Sequence, residues 1–452
     1  MYQKLSAKCI FLFTFFLFLL LPAGEFRIVA TADIHGDLRA LALLAPEIRR
    51  AKPDLLLDAG DLTGGNLVAE LDGGSSMIRA LNLLKYNFRI PGNHDFDTSQ
   101  SAFAAQCRLF RGETLGGDWR WGNLQGISWR IVSKGKFKVG VIGLTEPGIS
   151  RRHLKVDSAP VFIPWQTALE NALKKLRSAG VHCTLLLWHN GIDAFPHGVK
   201  HALKNVNGID LVIAAHSHKE NPGAMYGSIY IIQPGAYAKS AAMVSIRYND
   251  ETLKIEHINS GLLRGVSGVE APDIKALNKS AVKPWYPKIY SKICRKGDLS
   301  YNSFPALGAC ALREAGGTQG AVFLSSIPRS SSRNAECYRD LFHLMPFHNT
   351  LCTVELSRKE LAMLLEDLHK NNRKYQRLMG VAGFRWNFKK RCIENFHGNR
   401  ITLTVSSYLM VSSPVLRRAA HNSSRWQHLG IPERHAVEQF LKKRKGASSG
   451  RR

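Results

Sequence analysis

Acidic residues and closely spaced cysteine pairs are scarce in this sequence. The chain has 62 Lys and Arg but only 35 Asp and Glu, which gives a formal net charge of +27. The eight cysteines include no C-x-x-C pair, so a cysteine-based metal site is disfavoured against buried or free thiols with at most a few disulfides. The positive charge favours acidic partners such as phosphorylated substrates, nucleic acid, anionic lipid or envelope polyanions, and does not choose among them.

Long hydrophobic runs are also missing. The apolar run Ile10–Leu21 has 12 residues, whereas a membrane-spanning helix needs about 20. Lys4 and Lys8 precede the run and small residues follow it, which is typical of a secretory signal. We therefore predict that residues 1–24 are a signal peptide and that the protein is exported to the periplasm or the extracellular space. Retention of the run as a membrane anchor is the alternative.

The remaining composition is that of a globular protein with two or three domains. Between residues 25 and 262, short β-rich runs alternate with helical patterns, which predicts an α/β domain. Glycine and proline residues mark a linker at 263–289, and a second domain of mixed α and β structure is predicted at 290–440. The basic tail at 441–452 is expected to be solvated, and no dedicated nucleic-acid binding is expected of it.

Most strands predicted for the first domain are continuous apolar runs, typical of strands buried on both faces. The predicted strands are Phe26–Ala30, Leu55–Asp58, Asn87–Ile90, Lys138–Leu144, Cys183–Trp188, Asp210–Ala214, Ser228–Ile232 and Ala242–Tyr248. The predicted helices of this domain are Leu38–Lys52, Ser76–Leu84 and Trp165–Ala179.

Polar side chains suited to metal binding follow five of these strands. In chain order they are Asp33, His35, Asp61, Asn93, His189, His216 and His218. Because open α/β sheets bind ligands at the carboxyl ends of their strands, we expect these side chains to converge on one site.

The mixture of carboxylate, amide and imidazole ligands predicts two divalent metal ions of the Zn, Mn, Fe or Co type. Two such metals, about 3.5–4 Å apart, neutralise a phosphate ester and activate water for attack on it. A shared carboxylate sets their spacing, and Asp61 is the expected bridge. Asp33, His35 and His218 would be the remaining ligands of one metal, and Asn93, His189 and His216 those of the other.

These motifs, in this order, resemble those of the calcineurin-like metallophosphoesterase superfamily over residues 26–250. The run Asn93-His94-Asp95-Phe96-Asp97 is similar to one in the 5'-nucleotidase branch, whose enzymes hydrolyse nucleotides, nucleotide sugars or cyclic nucleotides. The resemblance implies a four-layer αββα sandwich followed by a smaller mixed domain, and hydrolysis by a metal-bridging hydroxide. It also implies that His94 stabilises the phosphoryl group or protonates the leaving oxygen, with Asp97 orienting it. We expect a monomer.

The second half resembles the C-terminal domain of the same branch, which supplies the pocket for the nucleoside. The similarity lies in Tyr338–Phe342, Met345–Leu351 and Val354–Ser357. This part of the chain predicts a small phosphorylated substrate, with a nucleotide as the leading candidate.

The expected nucleoside pocket departs from the family pattern. Where the family has Asn-Gly-Gly-Gly-Ile-Arg, this chain has Leu324–Arg329 and keeps only Arg329, a candidate phosphate anchor. Leu378, close to Gly380, replaces one of the two aromatic rings that hold the base. Tyr408 matches the other ring, although plain core packing is an equal alternative for it. Nucleotide specificity is therefore in question while the metal chemistry is not.

The sequence is compatible with three hypotheses about function. The first is an exported phosphohydrolase of the 5'-nucleotidase type. The second keeps the metals but acts on a non-nucleotide phosphoester such as a sugar phosphate. The third is a non-catalytic basic binding protein with a structural metal site, against which the intact ligand set argues.

Overall fold

The computed structural model of the protein describes residues 23–145, 159–193, 198–265, 268–300, 303–324, 336–346, 349–371, 379–387 and 389–449. The predicted signal peptide up to Pro22, the candidate anchor Arg329 and Leu378 lie outside the described residues. Among the described helices, none has the length and apolar character needed to cross a membrane.

The first domain contains the predicted α/β alternation and several further short strands. Its strands are β1 Ala23–Thr31, β2 Leu55–Asp58, β3 Phe88–Arg89, β4 Glu113–Thr114, β5 Trp119–Trp121, β6 Leu124–Gln125, β7 Trp129–Lys134, β8 Phe137–Leu144, β9 Val161–Phe162, β10 Cys183–Trp188, β11 Leu211–Ala214, β12 Asn221–Tyr226, β13 Ile229–Gln233, β14 Ala241–Asn249 and β15 Ile255–Leu263. Its helices are α1 Leu38–Ala51, α2 Leu67–Leu71, α3 Ser75–Leu84, α4 Gln100–Leu109, α5 Trp165–Ser178 and α6 Val199–Ala202.

Two six-stranded sheets lie at the centre of this domain. One has the order β15-β14-β1-β2-β3-β4 and the other the order β12-β13-β11-β10-β8-β7. Strands β1 to β4 are parallel to one another, as are β8, β10, β11 and β13, so the carboxyl ends of each parallel set lie at one edge of its sheet. Alternate residues of both sheets, such as Ile28, Leu57, Val141 and Leu185, form one buried core between them.

Helices cover the outer face of each sheet. The other alternate residues of the first sheet, including Val29 and Leu56, pack against α1 and α3, and those of the second sheet pack against α5 and α6. Strands buried on both faces account for the continuous apolar runs. The arrangement is the four-layer αββα sandwich, and the predicted α/β fold class is confirmed.

The segment 263–289, predicted as a linker, is largely helical over its described residues and packs on both domains. It contains α7 Pro272–Val282 and α8 Tyr286–Ile289. Ile274 of α7 is fully buried in the cluster formed with α1 and α3, and the amide of Ala271 donates to the carbonyl of Ala42 at 2.8 Å. Ile289 of α8 is buried in the core of the second domain, so the segment joins the two domains. Pro272 begins a helix, a position where proline needs no amide hydrogen bond.

The described part of the second domain is built on a five-stranded sheet with helices on both faces. Its order is β18-β16-β21-β17-β22, and a hairpin of β19 and β20 lies beside it. The elements are α9 Phe304–Gly316, β16 Gly320–Leu324, α10 Tyr338–Leu344, β17 Thr350–Ser357, α11 Arg358–Asn371, β18 Met379–Ala382, β19 Arg385–Asn387, β20 Cys392–Glu394, β21 Arg400–Ser406, α12 Ser407–Ser412, α13 Pro414–Ala420, β22 Trp426–Pro432 and α14 Glu433–Ser449. The expected smaller domain of mixed α and β structure is therefore present.

Candidate metal centre

The predicted metal ligands lie in tight loops at the carboxyl ends of the parallel strands. Five of the seven, Asp33, His35, Asp61, His216 and His218, have positive φ angles between 50° and 70°. This left-handed backbone is uncommon outside glycine, and Asp, Asn and His are the residue types that adopt it most readily after glycine. Hydrogen bonds hold the loops together, for example from the amide of His35 to the carbonyl of Asp61 at 2.9 Å. The loops thus turn the ligand side chains towards one another.

Six of the predicted ligands form two groups of three. Asp33, His35 and His218 make up the first group, and Asp61, His189 and His216 the second, with candidate ligand atoms in each group within 4.8 Å of one another. This division matches the two ligand sets that the sequence predicts. Asn93 is also buried, and the amide of the next residue, His94, donates to Asp61 Oδ1 at 2.7 Å.

Asp61 lies between the two groups. Its Oδ2 atom is 3.3 Å from His189 Nε2 in its own group and 3.9 Å from His35 Nε2 in the other. Its side chain is almost completely buried. Asp61 therefore reaches both groups, as a carboxylate shared by two metal ions must, and Asp33 Oδ1 also lies 4.0 Å from His189 Nε2 of the other group.

Two buried polar atoms at the centre show that its donors fit metal ions. His189 Nε2 and Asn93 Oδ1 are both buried and make no hydrogen bond within the described part of the chain. The other ring nitrogen of His189, Nδ1, lies 2.8 Å from the carbonyl oxygen of Ala59. Donation from Nδ1 leaves the lone pair of Nε2 directed into the centre, as in metal-binding histidines whose second nitrogen is held by a carbonyl group.

The electrostatics of the centre also favour bound cations. Burial raises the pKa of Asp33 to about 7. Burial has the same tendency at Asp61, but the imidazoles of His189 and His94 outweigh it and hold the pKa of Asp61 well below its usual range. Burial disfavours a charged His189, yet the carboxylates of Asp61 and Asp33 raise its pKa to about 10. Divalent cations provide the positive charge that these carboxylates need, and ligation by neutral imidazole then releases protons.

His94 and Asp97 form a hydrogen-bonded pair beside the two ligand groups. His94 Nδ1 lies 2.6 Å from Asp97 Oδ2, and the His94 ring is 5.4 Å from the ring of His35. Burial opposes protonation of His94, but the carboxylates of Asp61 and Asp97 raise its pKa to about 9. Phe96 anchors the loop because its ring is buried among Phe103 and neighbouring tryptophans.

Sequence reasoning missed two residues that shape the centre. Asp95 accepts hydrogen bonds from the amides of Thr63 and Gly92 at 3.0 and 2.8 Å, and so joins the Asp61 loop to the His94 loop. Tyr237 follows β13, and its ring lies 5.2 Å from that of His35. The carboxyl-end rule that found the ligands could have located Tyr237, since β13 belongs to the same parallel set.

The predicted substrate residues are only partly described. Tyr408 lies in α12 and is 52% exposed, which makes its ring accessible and disfavours plain core packing. Gly380 lies in β18, where it pairs with Phe323 of β16. A pocket of about 110 Å³ lies against His94 and Asp97, and its other lining residues are small or polar, without an aromatic ring: Thr63, Gly64, Ala69, Glu70, Gly73, Gly74, Thr98, Ser99 and Gln106.

Residues 26–220 match the family model described as calcineurin-like phosphoesterase. The predicted resemblance to this family is confirmed over these residues. Calcineurin-like phosphoesterases use two divalent metals, and the phosphoesterase domain provides two groups of ligands for them.

Relatives of the phosphoesterase domain include 5'-nucleotidases. The human 5'-nucleotidase is 25% identical over 313 residues, which cover 58% of this chain and 53% of that protein. The chain thus spans about half the length of the curated 5'-nucleotidases it matches.

Solved structures extend the likeness in fold to both domains. A 5'-nucleotidase precursor from Thermus thermophilus superposes with a TM-score of 0.69 at 17% identity, over 93% of this chain and 97% of that one. The sulfate thiohydrolase SoxB from the same organism superposes with a TM-score of 0.63 at 17% identity, over 94% and 95% of the two chains. The predicted two-domain fold is confirmed.

Proposed function

We propose that this protein is an exported metal-dependent phosphoester hydrolase of the 5'-nucleotidase type. The observation that carries the proposal is the two ligand groups, which Asp61 connects, with the His94–Asp97 pair next to them. A structural metal site does not need this second feature, because a His–Asp pair supplies charge and a proton to a reacting group.

The metal ions and the side chains of the protein would have different roles in the hydrolysis. When bound, the two metal ions neutralise the phosphate ester and lower the pKa of water. Asp61 would hold both ions, while Asp33, His35 and His218 complete one and Asn93, His189 and His216 the other. Asp97 holds Nδ1 of His94, so that the protonated ring presents Nε2–H to the phosphoryl group or the leaving oxygen.

A non-nucleotide phosphoester is the second candidate substrate. The pocket beside His94 and Asp97 is lined by small and polar side chains, which suit a hydroxyl-bearing leaving group better than a flat base. The Leu378 replacement points in the same direction. Both candidates share the reaction and differ in the group that carries the phosphate.

The reaction is tested with an aryl phosphate that needs no specific pocket. Purified protein supplied with Mn²⁺ or Co²⁺ is expected to release phosphate, and chelator treatment is expected to stop the release. Absence of hydrolysis with two metals bound would favour the non-catalytic binding protein.

Discrimination between nucleotides and smaller phosphoesters is expected to be poor. Stacking of a base on aromatic side chains is worth about 1–3 kcal/mol per base, or roughly five- to 150-fold in affinity. With Leu378 in place of one ring, much of this gain is expected to be missing. We predict similar kcat/KM values for adenosine monophosphate and ribose 5-phosphate. A preference above about a hundredfold for the nucleotide would show that the chain has a base pocket.

Export is a separate prediction of the proposal. The Lys4 and Lys8 pattern before Ile10–Leu21 is expected to direct secretion and cleavage. N-terminal sequencing of the secreted protein is expected to begin near Gly24, Glu25 or Phe26. Recovery of protein from the cytoplasm with Met1 intact would contradict it.

A further inference from the structure

A buried ion pair joins the two domains at a helix next to the metal centre. Nη2 of Arg434, in the first turn of α14, donates to both carboxylate oxygens of Glu70 in α2, at 2.8 and 2.6 Å. The Arg434 side chain is only 6% exposed and that of Glu70 18%. The Arg434 guanidinium also lies over the ring of Phe342, 4.6 Å from its centroid. This contact connects positions 364 residues apart in the chain.

The ion pair lies within a largely apolar interface. Leu67 of α2 is buried in the hydrophobic cluster of the second domain, together with Ile293, Phe342 and Val437, and Val68 and Leu71 pack against the same cluster. Helix α2 therefore contributes to the core of the second domain although its sequence belongs to the first. Removal of one partner of an ion pair in apolar surroundings strongly lowers the stability of the fold, because the other charge is left buried and uncompensated.

Helix α2 is packed directly against the loops of the metal centre. The backbone of Gly36, the neighbour of His35, approaches α2 so closely that a Cβ atom there would lie 2.5 Å from Asn66 Cβ and 2.8 Å from Ala69 Cβ. Gly64, which connects Asp61 to α2, approaches His94 in the same way, with a Cβ position 2.6 Å from His94 Cβ. A shift of α2 must therefore displace the His35 and His94 loops.

We propose that the second domain positions His94 for the reaction through the Glu70–Arg434 ion pair and helix α2. This inference rests on the proposed function. It makes Arg434 a positioning residue, since it acts through α2, whereas Glu70 also lines the pocket beside His94 and Asp97. The second domain then contributes to turnover as well as to substrate binding.

The test combines substitutions with two readouts. In Glu70→Gln and Arg434→Gln, kcat on an aryl phosphate is expected to fall on the order of tenfold with two metals still bound, because small displacements of catalytic groups are costly. The double variant is expected to fall no further than either single variant, because both remove one interaction. Arg434→Lys, which keeps the charge, is expected to recover most of the turnover. Hydrogen exchange is expected to rise in residues 66–71 and 92–97 of the single variants.

The matched control is Arg425→Gln. Arg425 forms an ion pair of the same kind with Glu360, at 3.0 and 2.6 Å, but both residues belong to the second domain. This variant is expected to keep wild-type turnover and wild-type exchange in residues 92–97. If a glutamine variant does not fold, Glu70→Asp and Arg434→Lys replace it, and both are expected to show smaller changes in the same direction.

Three outcomes would overturn the positioning role. They are unchanged kcat in both single variants, additive losses near a hundredfold in the double variant, and unchanged exchange in residues 92–97. Hydrogen exchange is measured without a substrate, so it tests the positioning role independently of the proposed function. A wild-type protein without phosphoesterase activity would contradict the proposed function, while exchange in residues 92–97 would still decide whether the ion pair orders the His94 loop.

Discussion

Asp61→Ala is expected to lose both metal ions and nearly all phosphoester hydrolysis. Asp61 is a buried carboxylate close to histidines of both ligand groups, 3.3 Å from His189 Nε2 and 3.9 Å from His35 Nε2. Without it, two cations would share a buried site without their common negative charge. Loss of metal catalysis removes several kcal/mol of transition-state stabilisation, on the order of 10³-fold or more in kcat. Metal content by mass spectrometry and kcat on an aryl phosphate measure both effects.

Two further variants test whether the effect of Asp61→Ala is due to the loss of this carboxylate. Alanine at a φ of 52° is strained, so Asp61→Asn, which keeps the shape and tolerates left-handed backbone, separates loss of charge from loss of fold. Asp210→Asn is the control, because Asp210 also binds a backbone amide, that of Thr184 at 2.7 Å, but precedes β11 at the opposite end of the sheet. Two metals at wild-type occupancy in Asp61→Ala would show that the bridge lies elsewhere.

His94→Ala is expected to lower turnover on the order of 10²–10⁴-fold, the usual contribution of an acid–base group, while both metals stay bound. The reason is geometric: His94 donates its amide to Asp61 but its ring pairs with Asp97, so no ligand atom is removed. Measurement of kcat alongside metal content separates the two roles. Loss of metal in this variant would place His94 among the ligands, and unchanged turnover would place it in the scaffold.

The partner of His94 provides the control for this experiment. If Asp97 acts only by orienting His94, Asp97→Asn is expected to cause a smaller loss than His94→Ala. The double variant is then expected to be no slower than His94→Ala alone, because residues that act as one unit are not additive. An additional loss in the double variant would assign Asp97 an independent role.

The sequence revealed those parts of the fold and site that depend on local pattern. Strands such as β10 and β11 were found because both of their faces are apolar, and the ligands because they follow strands in a fixed order. The short strands β5, β6 and β9 were missed since two or three residues carry no periodic signal. Helix α7 was missed because Pro272 was interpreted as a breaker when it occupies the first turn.

Sequence patterns did not predict contacts between segments that are distant in the chain. Nothing local to Glu70 or Arg434 indicates that they meet across the domain interface, since isolated charged residues are usually solvated. Asp95 was visible only as part of a motif, and its hydrogen bonds to Thr63 and Gly92 depend on how two loops come together. Tertiary packing determines these features.

The left-handed backbone of the ligand loops restricts how metal preference can evolve in this protein. At Asp33, His35, Asp61, His216 and His218 a replacement ligand must accept a positive φ as well as a metal ion. Asp, Asn and His meet both conditions, whereas Cys and Glu lack their preference for this conformation. A change towards a sulfur-rich, softer site would therefore require rebuilt loops rather than single substitutions. The backbone conformation thus favours nitrogen and oxygen ligands over sulfur ligands at the metal centre.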